Sequence, residues 1–219
     1  EIRLSLVGSE MCIRDSSKEA VGLAYSLEGM LHAKRMTWEA IGQIARQVKP
    51  GMQESAAREM GLQVLREMGM ERIWHPLLIR FGANTLKTFK QRSDGDPLLQ
   101  ENDLFFIDLG VVWDRHEGDC GATFVVGDDA EMHACAAAAK SLFDQVHDHW
   151  QSHLVAGPEL YRYAQEQARA MGWALNLDIK GHRVSDFPHA IYRAGDLGDF
   201  AACPQVGPVS YTHLTLPTK

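Results

Sequence analysis

An α+β fold, antiparallel hairpin strands covered by helices, is what this sequence predicts, and three observations carry the prediction. Long stretches near the N-terminus and in the middle repeat apolar residues at three-to-four spacing, three shorter runs are rich in β-branched and aromatic residues, and Gly and Pro breaks separate them. The chain has 219 residues, 45% hydrophobic and 23% charged, enough to bury one substantial core, so a single domain is the default reading.

The elements follow in order. Over residues 18–48 the apolar positions Val21, Tyr25, Leu27, Met30, Leu31, Met36, Trp38, Ile41, Ile44 and Val48 recur with helical spacing, which predicts one long helix or two in tandem. Pro50-Gly51 stops it. Ser55 opens a second helix over 56–68, closed by Gly69, so that a helical hairpin results. Residues 73–81, 104–112 and 121–126 read as strands, with polar turn material between the last two. The alanine-rich stretch 130–154 predicts a long helix, Gly157-Pro158 breaks it, and 159–171 supplies another. From Asn176 onward the pattern is loop and short strand.

Charge and cysteine usage narrow the partners. The net charge of −7 is spread without a basic stripe, which argues against nucleic acid and against an anionic membrane, and points to a small or peptide-like substrate. Cys12, Cys120, Cys135 and Cys203 lack zinc-knuckle spacing, and no cleavable secretory signal precedes them, so a reducing, cytoplasmic setting is expected. The longest nearly uncharged runs, such as 103–113, are about half the roughly 20 residues that a spanning helix needs. No membrane segment is predicted.

Both ends read as foreign to the fold. The DNA string ATG TGT ATA AGA GAC AG encodes Met11-Cys12-Ile13-Arg14-Asp15 and begins Ser16, and its reverse complement encodes Val209-Ser210-Tyr211-Thr212-His213. One DNA word thus accounts for both, and it resembles the transposase recognition end of sequencing-library adapters. The expectation is that residues 1–16 and 208–219 are adapter-derived, that 17–207 form a partial catalytic domain, and that the parent protein continues beyond Gly207.

Two constellations carry chemistry. In Phe105-Phe106-Ile107-Asp108-Leu109-Gly110 a carboxylate interrupts core residues, where burying an uncompensated charge costs on the order of several kcal/mol. With the turn at 114–118, a symmetric hairpin sets Asp108 directly opposite Asp119, their Cβ atoms roughly 5 Å apart. Two like charges on one face ask for a bridging cation, and a pair of divalent ions roughly 3.5–4 Å apart would meet that need and support hydrolysis. The competing reading puts Asp119 in a solvated turn with Asp114 and Glu117, and the residues alone leave both open. The second constellation is Gly181-His182-Arg183-Val184-Ser185-Asp186-Phe187-Pro188-His189, two imidazoles seven residues apart in a region without helical pattern.

Taken together, an Asp in a strand, a second Asp eleven residues on, then Gly-His and a further His seven residues later resemble the pita-bread metallopeptidases of family M24, which include methionine aminopeptidase, aminopeptidase P, prolidase and creatinase. The long entry helix and the break Lys49-Pro50-Gly51-Met52 share the likeness. The resemblance implies a curved antiparallel sheet covered by helices, incomplete at its C-terminal end. It implies two divalent ions, Mn, Co, Fe or Zn, with Asp108, Asp119 and His182 as metal ligands. A metal-activated water would attack an amide, with His189 as the catalytic residue on the substrate carbonyl. Arg183, where the family usually has glycine, could bind a substrate carboxylate; its alternative is a surface salt bridge to Asp186.

Departures from the family pattern shape the expected function. Gly82-Ala83-Asn84 resembles the turn ahead of a substrate-binding histidine, yet that histidine's place is taken by Phe89; His75 is a substitute only if the fold brings it close, which the sequence gives no reason to expect. The family's two glutamate ligands follow the histidines. Glu159, Glu166 and Asp178 come before His182, and Asp196 and Asp199 follow it too closely. The leading expectation is therefore an aminopeptidase or X-Pro peptidase-like hydrolase, inactive as this fragment. A creatinase-like hydrolase of a small amidino compound and a non-catalytic pita-bread binding module are the alternatives, and a homodimer is left open.

Overall fold

The computed structural model describes residues 21–153, 155, 157–178, 184–188 and 214–215. Helix α1 spans Leu27–Gln47, and Ser26 caps it by accepting a hydrogen bond from the Gly29 amide at 3.0 Å. It starts later than the apolar pattern suggests. The amides of Gly22 and Ala24 instead donate to the Asp186 carboxylate at 2.7 and 3.1 Å, and that of Ser26 to His116 Nε2 at 3.0 Å. Long-range partners thus replace helical ones over the first residues.

Helix α2, Glu54–Glu67, follows, with the Ser55 amide and hydroxyl both donating to Asp96. The Glu54 carboxylate is buried and satisfied by the Phe81 amide at 3.0 Å, by Asn84 Nδ2 at 3.1 Å and by Ser93 Oγ. It fastens the start of α2 to the end of the first strand.

Strands β1 (Arg72–Phe81), β2 (Asp103–Trp113) and β3 (His116–Val126) form an antiparallel sheet in the order β1-β2-β3. Strand alternation divides it into two faces. Leu77, Ile79 and Phe81 of β1 share one with Phe105, Ile107, Leu109, Val111 and Trp113 of β2 and Cys120 of β3. Against that core face pack Ala33, Ala40, Ile41 and Ile44 of α1 and Ala57, Val64 and Leu65 of α2. The opposite face carries Phe106, Asp108, Gly110 and Val112.

Helices α3 (Ala130–His153) and α4 (Gly157–Ala170) enclose a second, smaller cluster of Leu142, Val146, Leu160, Ala164 and Ala168. Pro158 sits in the first turn of α4, where its missing amide costs no hydrogen bond. Strand β4 (Ala174–Leu175) pairs with β5 (Leu214–Thr215), the latter within the stretch read above as adapter-derived. Among the described residues no helix is long and apolar enough to cross a membrane.

One close approach binds α1 to the hairpin. Trp113 Nε1 donates to Thr37 Oγ1 at 3.0 Å, and that hydroxyl donates to the Ala33 carbonyl at 2.7 Å, so the polar atoms of this buried contact are satisfied. A Cβ on Gly118 would overlap Thr37 Oγ1 and stand 3.0 Å from the Ala33 carbonyl oxygen. Gly118→Ala should therefore lower stability by about 1–3 kcal/mol through overpacking. Urea denaturation followed by circular dichroism checks this, and an unchanged midpoint would show that the helix can retreat without cost.

Candidate metal centre

The hairpin joining β2 and β3 is tighter than the sequence reading supposes. Asp114 and Arg115 both have positive φ, 46° and 60°, the backbone of a two-residue turn whose twist suits a hairpin. Trp113 consequently pairs with His116, and the residues 116–120, expected to be largely turn, are strand. This corrects the predicted register: Asp108 lies across from Gly121, and Asp119 across from Gly110. The two aspartates are diagonal neighbours on the same face, within reach of a shared ligand without being directly opposed. Asp119 is not in a solvated turn either. Its side chain is 1% exposed and that of Asp108 7%.

The third member of the cluster is His75, which the fold brings in against expectation. Simple alternation along β1 would put His75 with Leu77, Ile79 and Phe81 on the core face. Register shifts lie on both sides of it: Ile73 pairs with Val111, His75 with Gly110 and Leu78 with Asp108, so each interval holds one residue more on β1 than on β2. These bulges turn His75 onto the face of the aspartates. Pro76, which has no amide to donate, sits within the second irregularity. Gly110 makes room, because a Cβ there would overlap the His75 ring.

His75 Nε2 lies 3.4 Å from Asp119 Oδ1 and 3.7 Å from Asp108 Oδ1, and its Nδ1 is 3.0 Å from the Pro76 carbonyl. Burial pulls the imidazole pKa down, but the Asp119 hydrogen bond and the charges of both aspartates outweigh it, and the net shift is upward. The donor set is one imidazole nitrogen and two carboxylates, with ligand atoms all within 4.8 Å of one another. It fits a divalent transition metal, whose charge would compensate two buried carboxylates better than a single imidazolium does.

Nearby groups frame the cluster. Arg80 is buried, and its guanidinium donates to the carbonyls of Thr88 at 3.1 Å and Gln91 at 2.5 Å. Burial lowers its pKa, while the charges of Glu54 and Asp108 oppose that shift. The loop it tethers carries Phe89, which is 53% exposed and does not join the cluster.

His182, Arg183 and His189 lie outside the described residues. The stretch 184–188 between them docks on the hairpin tip. The Glu117 amide donates to the Ser185 carbonyl at 2.9 Å, the Ser185 amide donates to Glu117 Oε2 at 3.2 Å, and the Phe187 amide donates to the Arg115 carbonyl at 2.7 Å. Asp186, considered above as a partner for Arg183, accepts from the Gly22 and Ala24 amides and from Ser185 Oγ.

The antiparallel sheet carries α1 and α2 on one face and, on the other, a His-Asp-Asp cluster whose ligand atoms could hold a metal ion, on a fold of the pita-bread class. Residues 28–201 match metallopeptidase family M24, and the chain belongs to that family. Solved structures agree on the fold. The X-Pro aminopeptidase from Thermotoga maritima MSB8 superposes with a TM-score of 0.61 at 17% identity, over 75% of this chain and 47% of its own. The prolidase from Pyrococcus horikoshii OT3 gives 0.61 at 18% identity, over 85% and 53%, and the methionine aminopeptidase from Thermotoga maritima 0.59 at 15%, over 84% and 72%. This chain thus spans about half the length of the first two. No curated protein sequence matches it.

Cys120 sits next to Asp119 in β3 but on the core face. Burial and the Asp119 charge push its thiol up to about 12, with Lys34 opposing and Asp108 adding to the rise. At pH 8 the thiolate fraction is then roughly one in ten thousand. Iodoacetamide should leave Cys120 unmodified in the folded protein and alkylate it fully in urea, as peptide mass spectrometry can follow. Rapid native labelling would contradict the burial.

Proposed function

We propose that the parent protein is a metal-dependent amide hydrolase of the aminopeptidase or X-Pro peptidase kind, acting through two divalent ions, and that residues 17–207 are part of its catalytic domain. The observation that carries this is the placement of Asp108 and Asp119, both buried, on one sheet face opposite the helices. Membership of family M24 and a fold shared with an X-Pro aminopeptidase and a prolidase support it.

In this reading Asp108 and Asp119 hold the ions together with His182, and manganese, cobalt, iron or zinc would suit the carboxylate-rich set. When bound, such ions lower the pKa of water to supply a nucleophile at neutral pH and polarise the scissile carbonyl. The protein's own part is to fix the carboxylates rigidly on adjacent strands and keep their surroundings dry, so that little reorganisation is needed during the reaction. His189 would contact the substrate carbonyl and Arg183 a substrate carboxylate. Two further glutamate ligands complete the set in this reading.

The parent gene tests this. Its next strands should carry two glutamates, and their absence would end the peptidase reading. In the completed protein Asp119→Ala should reduce metal-dependent dipeptide hydrolysis by roughly a thousandfold, the scale of losing a preorganised electrostatic element. Circular dichroism should remain unchanged, and undiminished turnover would defeat the assignment.

A further inference from the structure

His75 plays no part in the ligand set expected from the aspartates and the distal histidines, yet four features of β1 and β2 converge on it. Two bulges rotate its side chain out of the core face. Gly110, its cross-strand partner, leaves the space that the ring fills. Nδ1 faces the Pro76 carbonyl, so a proton held there lets Nε2 exchange its hydrogen bond to Asp119 for a bond to an ion between the aspartates. The ring is further fixed by an edge-on contact with Trp74, their centroids 4.6 Å apart.

We propose that His75 is itself a metal ligand, and that His75 Nε2, Asp108 and Asp119 together form a three-ligand site for one divalent ion within this chain. The spacing suits it. Bonds of roughly 2.0–2.2 Å put neighbouring ligand atoms of one ion roughly 3–3.5 Å apart. The separations from Nε2 are 3.4 Å to Asp119 and 3.7 Å to Asp108, and all three ligand atoms lie within 4.8 Å of one another, so closure of the side chains around an ion brings them to bonding distance without moving the strands. A nitrogen donor from β1 would bias the site toward manganese, iron, cobalt or zinc over magnesium or calcium. It would also seat one ion before any ligand outside the sheet arrives.

This inference rests on the proposed role of the aspartates and adds a ligand to it. The test is cobalt(II) and manganese(II) binding by the 219-residue chain, followed by calorimetry, by the cobalt visible spectrum and by nitrogen hyperfine coupling in pulsed EPR of the manganese form. The wild type should take up one ion with a directly bound nitrogen. His75→Asn should weaken binding roughly tenfold or more and remove that coupling. Gly110→Ala, which keeps the imidazole but displaces it, should do the same. Circular dichroism of the metal-free variants separates loss of the ligand from loss of the fold.

Wild-type affinity and nitrogen coupling in His75→Asn would overturn the proposal. If Asp119→Ala then abolished binding, the carboxylate reading would stand without His75; if Asp119→Ala also bound normally, both would fall. A wild-type chain that takes up no ion would overturn the three-ligand site.

Discussion

Asp114 and Arg115 hold the left-handed backbone that closes the β2–β3 hairpin, and the placement of core and site alike depends on that turn. Type I′ turns favour Asn and Gly because both central residues need positive φ. Here neighbours hold an arginine there: the Arg115 amide donates to Glu71 Oε1 at 3.0 Å, its carbonyl accepts from Phe187, and the Asp114 carbonyl lies 2.7 Å from His116 Nδ1. Slipping one strand by a single residue would send its whole set of side chains to the other face. Asp108 would then meet α1 and α2, and Ile107 and Leu109 would lose their places in the core. Burying a carboxylate among those apolar groups is costly enough to forbid the slip. The same register therefore makes the core and aligns the two aspartates.

The second constraint comes from β1, whose bulges matter as much as its pairing. Without them His75 would pack among Leu77, Ile79 and Phe81, and the aspartates would have no imidazole beside them. Gly110 belongs to this arrangement as closely as the three polar residues do, because the space above its Cα is where the ring lies. Arg80 and Glu54 extend the polar framework away from the cluster, fixing the loop after β1 through the carbonyls of Thr88 and Gln91 and the amide of Phe81. The geometry of the cluster is set by backbone irregularity on a well-packed sheet, with α1 and α2 packed against its other face.

Much of this was legible in the residues. The β-branched and aromatic runs around Phe81 and Phe106 located β1 and β2, and helical spacing located the end of α1, each to within a residue or so, because those periodicities are the burial pattern itself. Asp108 stood out as a lone charge within a run of apolar residues. The start of α1 was not legible, since the groups that capture the amides of Gly22, Ala24 and Ser26 lie about 90 and 160 residues away in sequence, in His116 and Asp186. Nor was the hairpin register: a polar stretch such as 114–118 does not reveal that only two of its residues turn. His75 was missed because period-two reasoning cannot anticipate an extra residue in one strand. The proline beside it was the one local hint.

Anomalous diffraction from crystals of the protein grown with manganese tests most directly whether His75, Asp108 and Asp119 converge on a common ion. A single strong peak bonded to His75 Nε2 and to one oxygen of each aspartate is the predicted result. A peak elsewhere, for instance between the stacked His149 and His153 of α3, with the three site residues unliganded, would contradict the account.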